Sequence, residues 1–396
     1  MEKKIMFSTA ASREGSNAEK YTLREQLFGT QDVLPVWVAD MDINTPAFVL
    51  DAVAKRLQHP IIGYEEVPES AYLAQIAWMK EHHNVTFSLE DMFHSHSVVA
   101  SMAVAIEAFS DEGDGIVVQT PVYPPFFQTV KRLKRRVVTN PLLLGEDGSY
   151  GFDIKDFKKK IDKDTKMLLL CSPHNPVGRV WREEELREIA DICYENNIIV
   201  FADEIHCDLV FERNRHIPFA SLGAYAREMS LTAIGVGKTF NMAGFAMSSV
   251  AVPDKELRER FREAHERVHF AQGAVLSHVA FETAYKEGAL WLSELKNHLC
   301  ENYNVLVSLA QRYEKLIRVT PLEGTYLAWL DCRGMGLGDR ALREWFVKEA
   351  NLGLNPGIAF GREGSGFMRL NFAVPSDTMV EIITRMEGAL KRYDKN

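Results

Sequence analysis

The sequence predicts an α/β protein with a mostly parallel sheet in a large domain and a smaller α+β domain beside it. Three observations carry that expectation. Short apolar runs alternate with helical patterns through the middle of the chain. An amphipathic stripe fills the gap between two of those runs, and the final third of the chain changes character. Strand–helix–strand alternation of this kind implies parallel strands covered by helices.

The strand-like runs are 115–121, 136–142, 167–171, 198–203, 231–236 and 247–252. Between the third and fourth, residues 182–197 place Leu186, Ile189, Ala190 and Cys193 at i, i+3, i+4 and i+7, one face of a helix. Glu183, Glu184 and Glu185 stand in its first turn, where negative charge suits the helix dipole. Long helical patterns fill about 254–316. In the tail, Pro375-Ser376-Asp377 precedes a stripe of Met379, Ile382, Ile383, Met386 and Leu390. At 396 residues the chain exceeds what one core usually supports. The expected division is a large domain over 50–285, and a smaller one joining 1–49 to 286–396.

The bulk properties exclude several classes. The composition is 46% hydrophobic and 26% charged, which is globular, and the net charge is −9. The basic stretch Lys131-Arg132-Leu133-Lys134-Arg135-Arg136 runs straight into Val137-Val138 and reads as a solvated helix end leading into a strand. Nucleic acid is therefore not the expected partner. No apolar run approaches the ~18–20 residues that span a bilayer, and the N-terminus lacks the apolar core of a secretory signal. Five widely spaced cysteines, odd in number and without a CxxC pair, fit free thiols in a reducing cytoplasm.

Two motifs invite other readings. His265-Glu266-Arg267-Val268-His269 matches the H-E-x-x-H zinc pattern, with Glu282 or Glu287 as a third ligand, but its flanks are those of an amphipathic surface helix. Gly237-Lys238-Thr239 resembles the end of a phosphate-binding P-loop, but Thr232 stands where that loop needs its first glycine.

Polar residues at the ends of the expected strands form a more coherent set. Asn175 lies in Ser172-Pro173-His174-Asn175-Pro176-Val177-Gly178, Asp203 and His206 close the run at 198–203, and Lys238 follows the run at 231–236. Arg369 lies in Met368-Arg369-Leu370-Asn371. Each alone has a structural explanation: a turn, a helix cap, a solvated lysine, a surface ion pair. Together they supply an amine nucleophile, a carboxylate at a strand end, an amide, an imidazole and a guanidinium. Pyridoxal phosphate chemistry needs that set. The amine forms a Schiff base, the carboxylate keeps the pyridine nitrogen protonated, the amide and imidazole hold the ring's O3′, and the guanidinium grips an α-carboxylate. A helix beginning near Val98, after 93–97, offers amides to the phosphate.

At this point the sequence resembles the fold-type-I pyridoxal-phosphate enzymes, and more closely the MalY/PatB-type C–S lyases, relatives of cystathionine β-lyase and cystalysin. The resemblance covers nearly the whole chain. It runs through Val38-Ala39-Asp40-Met41, Gly63-Tyr64, Thr120-Pro121-Val122-Tyr123, SPHNPVGRVW at 172–181 and DEIHCDL at 203–209, then KTFNMAG at 238–244, GTYLAW at 324–329 and RLNFAVP at 369–375. It implies that Lys238 carries the cofactor and moves the substrate's α-proton, and that Asp203 pairs with the pyridine nitrogen. Asn175 and His206 would approach O3′, with Asn175 also near the substrate. Tyr123 would lie over the ring and assist proton transfer. Val98 and Val99 would meet the phosphate, Tyr64 would reach across from a second subunit, and Arg369 would bind the carboxylate. A homodimer with shared sites follows from the same pattern.

Ala246 stands where aminotransferases of the group place a phosphate-binding arginine, and His206 where they commonly carry tyrosine. Both features imply a lyase that cleaves cystathionine or another S-substituted cysteine. An aminotransferase of the same fold is the alternative; a zinc peptidase and a catalytically silent cofactor-binding regulator come from other classes. Ser97, Gly235, Gly237 and Glu65-Glu66 depart from the pattern, and the hydroxyl missing at 237 bears on phosphate affinity.

Overall fold

The computed structural model describes residues 7–211, 213–269 and 273–395. Its central element is a seven-stranded sheet made of β1 (Met92–Ser95), β2 (Gly115–Val118), β3 (Arg136–Thr139), β4 (Thr165–Cys171), β5 (Ile199–Asp203), β6 (Ser230–Ile234) and β7 (Ser248–Ala251). The spatial order is β1-β7-β6-β5-β4-β2-β3. All neighbours are parallel except β7, which runs antiparallel to both β1 and β6.

Both faces of the sheet are buried, and the two-residue period divides the side chains between them. Ile116, Val118, Met167, Leu169, Phe201 and Leu231 pack on one face with Met102, Ile106 and Phe261 from covering helices. Val117, Leu168, Leu170, Val200 and Ala202 pack on the other with Leu186, Ile189, Ala190 and Cys193. These last four are the expected stripe, on a helix spanning Glu183–Glu195.

All six expected strands form; one begins earlier, at Thr165, and three stop well short of their expected ends. The run at 115–121 ends at Val118 and that at 136–142 ends at Thr139, short of Pro121 and Pro141, which have no N–H to give. The run at 231–236 ends at Ile234, because Val236 begins the one-turn helix Val236–Thr239. The pattern over 254–316 resolves into three helices, Lys255–Arg267, Val275–Glu287 and Ala289–Arg312. At Gly288, between the last two, a Cβ would lie 2.3 Å from the Phe240 ring. The basic stretch ends the helix Pro125–Arg132 and enters β3, where Arg136 pairs with Asp162, as the solvated reading expects.

The C-terminal third carries a second, antiparallel sheet: β8 (Arg318–Val319), β9 (Leu327–Asp331), β10 (Asn355–Pro356) and β11 (Phe367–Asn371), in the order β8-β9-β11-β10. The N-terminal segment joins this part of the molecule, since Leu34–Pro35 pairs in parallel with Leu352–Gly353. One hydrophobic cluster contains Trp78, Phe281 and Tyr285 together with Leu327, Leu330, Phe372 and Leu390, so apolar packing runs across the expected boundary at 285. No helix among the described residues is long and apolar enough to cross a membrane.

Candidate active site

The C-terminal ends of three adjacent parallel strands meet at one cavity. Cys171 at the end of β4 pairs with Asp203 at the end of β5, which pairs with Ala233 of β6. Open α/β sheets bind ligands at such carboxyl ends. A cavity of about 180 Å³ there is lined by Asn175, Asp203, His206, Lys238, Tyr123, Val98 and Val99, with Ala39, His96, Ser97 and Ser248. Seven of the nine candidate residues thus share one space. Arg369 stands directly behind it, donating from Nη1 to Asn175 Oδ1 at 2.9 Å. Tyr64 does not join them; it is 98% exposed in this single chain. A larger groove of about 1090 Å³ lies against the helix Ala289–Arg312 and holds none of the candidates.

Lys238 is placed by the turn Val236–Thr239, four residues after β6 ends at Ile234. Its Nζ donates to the Ala39 carbonyl at 2.6 Å. Burial pushes its pKa down to about 8, which raises the share of neutral, nucleophilic amine near neutrality. Asp203 is buried, and desolvation lifts its pKa to about 7. A carboxylate so placed favours a cationic partner in the cavity. Burial lowers His206 to about 3, with Lys238 and Arg369 adding to the effect, so its imidazole is neutral. Burial also lowers Arg369 to about 10, which leaves it charged at neutral pH, and raises the Tyr123 phenol.

Residues 37–43 form a strap that reaches the cavity at Ala39. Arg369 Nη2 donates to the Trp37 carbonyl and to Asn355 Oδ1, both at 2.7 Å. Asn371 Nδ2 donates to the carbonyls of Val38 and Asp40, and the Tyr326 hydroxyl to that of Ala39 at 2.7 Å. The strap is anchored from the N-terminal side by Lys20, whose side chain is fully buried and whose Nζ lies 3.0 Å from both Asp40 and Asp42. Arg13 pairs with the same two carboxylates. Ala39, Tyr326, Asn355 and Lys20 are positions at or behind the cavity that sequence reasoning did not single out. Two of them lie in the quoted blocks around Val38-Ala39 and GTYLAW; nothing local marks Lys20.

The chemistry of the donors fits a cofactor of the kind the resemblance implies. His206 Nδ1 and Arg369 Nε are buried without a protein partner among the described residues, and unsatisfied groups of this sort invite a ligand. The helix Val98–Phe109 opens on the cavity with Ser97 as its cap, and first-turn amides have no acceptor within their own helix. Gly235 is required by space, since a Cβ would lie 2.9 Å from Ser248 Cβ; at Gly237 the nearest atom is 3.5 Å away, so its missing hydroxyl is not a packing demand.

The zinc motif does not form the face its spacing implies. The helix stops at Arg267, and His269 lies past its end with φ 48°. His265 Nε2 meets the His94 carbonyl at 2.7 Å instead.

The family model described as "Aminotransferase class I and II" matches residues 42–386. The chain belongs to that family. Within it, the chain is 35% identical over 385 residues to cystathionine beta-lyase PatB of Bacillus subtilis (strain 168), covering 97% of this chain and 99% of that protein. It is 30% identical over 389 residues to Protein MalY of Escherichia coli (strain K12), covering 97% and 98%. Among solved structures it superimposes on cystalysin from Treponema denticola, which contains a pyridoxal 5'-phosphate cofactor, with a TM-score of 0.94 and 32% identity over 98% of this chain and 99% of that one. This aminotransferase-family fold therefore agrees with the fold-type-I expectation.

Proposed function

We propose that this chain is a pyridoxal-phosphate-dependent C–S β-lyase. It cleaves the Cβ–S bond of cystathionine or another S-substituted cysteine and, with one water, releases a thiol, pyruvate and ammonia. The observation that carries the reading is the convergence of Lys238, Asp203, His206 and Asn175 on one cavity with a buried, charged Arg369 behind it. The likeness to a cystathionine beta-lyase and to cystalysin over nearly the whole chain supports it.

Asp203 would face the ring nitrogen, where a proton held on nitrogen offsets the cost of its buried charge. His206 and Asn175 would hold O3′, Tyr123 would cover the ring, and Val98 and Val99 would take the phosphate at the helix start. Arg369 would receive the substrate's α-carboxylate, orienting Cα toward Lys238. Bound there, pyridoxal phosphate supplies an electron sink for the pair left when the α-proton departs. Lys238 would take that proton, its low pKa keeping an amine available as a base near neutrality. By resemblance, Ala246 and His206 place the chain nearer the enzymes that eliminate than those that transaminate.

The same reading extends to assembly and place. The exposed Tyr64 would reach the site of a second copy, making the enzyme a homodimer with shared sites. The division at 50–285 would separate a cofactor-binding domain from a smaller one formed by both ends of the chain. None of the five cysteines forms a disulfide among the described residues, in keeping with a cytoplasmic enzyme. Incubation with cystathionine is expected to release pyruvate in many multiples of enzyme without an added keto acid. Arrest after one half-turnover, with the yellow colour bleached until a keto acid is supplied, would establish the aminotransferase instead.

A further inference from the structure

Each of two residues expected to hold the cofactor has a chain neighbour that is buried and fully engaged behind the site. Beside Asp203 stands Glu204, 0% exposed, which accepts from the Phe219 amide at 2.8 Å and lies 3.0 Å from His216 Nε2. Beside Lys238 stands Thr239, also 0% exposed, whose hydroxyl donates to Asp208 Oδ2 at 2.8 Å. The other oxygen of Asp208 accepts from Trp78 Nε1 at 2.8 Å and meets His83 Nε2 at 2.7 Å. The rings of His83 and His216 touch edge to face, with centroids 5.5 Å apart. A continuous buried chain therefore runs from Glu204 through His216, His83 and Asp208 to Thr239.

Burying two carboxylates is costly unless every lone pair is used, so such a network serves geometry more than stability. His83, Cys207 and Asp208 also place three possible metal-ligand atoms within 4.8 Å of one another. Asp208 is already committed to three donors, and burial raises the Cys207 thiol well above its usual range, which keeps it protonated and a poor ligand. The arrangement is a brace of two hydrogen-bonded pairs, Glu204–His216 and His83–Asp208, joined through the contact of the two imidazole rings. We infer that the Glu204–His216–His83–Asp208 network is a positioning device that fixes the Lys238 turn, through Thr239 Oγ1, relative to Asp203. This rests on the cofactor reading above.

The link is a single hydroxyl, which makes it separable from folding. Thr239→Val keeps the shape and removes the contact; Thr239→Ser keeps the contact. In the cofactor-loaded protein, Thr239→Val is expected to lower kcat at least ~10-fold with KM within about twofold, as for a loss confined to the reacting geometry. The visible circular dichroism of the bound chromophore should fall with it, and Thr239→Ser should restore both. Because the network reaches Lys238 through that one contact, Asp208→Asn added to Thr239→Val should cost less than about a further twofold in kcat. Wild-type kcat and visible dichroism in Thr239→Val, or losses that multiply in the double variant, would overturn the inference. A wild-type protein that forms no chromophore at Lys238 would overturn the cofactor reading instead.

Discussion

The strand-end half of the site and the strap half are held by different forces. Asn175, Asp203, His206 and Lys238 follow the ends of β4, β5 and β6, whose parallel register brings them together automatically. The strap draws on residues 287 to 333 positions away; Arg369 and Asn355 are paired across β10 and β11, but residues 37–43 themselves belong to no strand. Its geometry comes from carbonyls caught by Asn371, Arg369 and Tyr326, and from the ion cluster of Arg13, Lys20, Asp40 and Asp42. The half closest to the chemistry is supported by apolar packing, and the half expected to grip the substrate by buried charge.

The largest effect should come from the strand-end half. Lys238→Ala is expected to abolish turnover while the fold persists, and borohydride should fix the cofactor of the wild type to the peptide containing Lys238. A label on another lysine would remove the assignment. Next, Lys20→Met should strike the strap half alone. Breaking a buried pair that Arg13 still partly neutralises is expected to cost about 3 kcal/mol of unfolding free energy. If denaturant unfolding shows no loss, the strap is not held by this cluster.

Arg369→Ala should lower kcat/KM by about 2–4 kcal/mol of transition-state stabilisation, the scale of a lost charge-assisted contact. Equal activity toward amino acids would give Arg369 another role. The smallest effect separates the two halves by pH in the cofactor-free protein. Asp203 has its folded pKa raised to about 7, above the unfolded value near 3.8, so the stability it contributes at low pH is lost as pH rises between them. Asp40 has a lowered folded pKa; burial opposes this, and Lys20 and Arg13 more than overcome it. Its contribution is present above the unfolded value and is lost as pH falls. Relative to Asp203→Asn, the wild type should therefore lose on the order of 1–3 kcal/mol between pH 4 and 7. A difference independent of pH would show that the site is open enough to water to leave Asp203 at its ordinary value.

Much of the strand-end half was legible because its signals are local. The runs at 167–171 and 198–203 are apolar with a polar break at the end, and the break is where a parallel strand meets its ligand. Strand ends were less legible where a proline or a glycine cut the ladder, as at Pro121 and before Val236. The H-E-x-x-H spacing could be set aside from its flanks, but periodicity cannot show that the helix stops at Arg267. Tyr64 is expected at the site only through resemblance, and the single chain leaves it exposed.

By itself the sequence determined the parallel sheet, the helices that cover it and the residue types gathered at its strand ends. These follow from alternation and periodicity, which act between near neighbours along the chain. Only the tertiary structure decided that Ala39 receives Lys238, that Lys20 is buried between two aspartates, and that Thr239 hangs on Asp208. Those contacts join residues 199, 22 and 31 positions apart, and no local pattern encodes them. A buried charge finds its partner only when packing has removed the water that would otherwise have satisfied it.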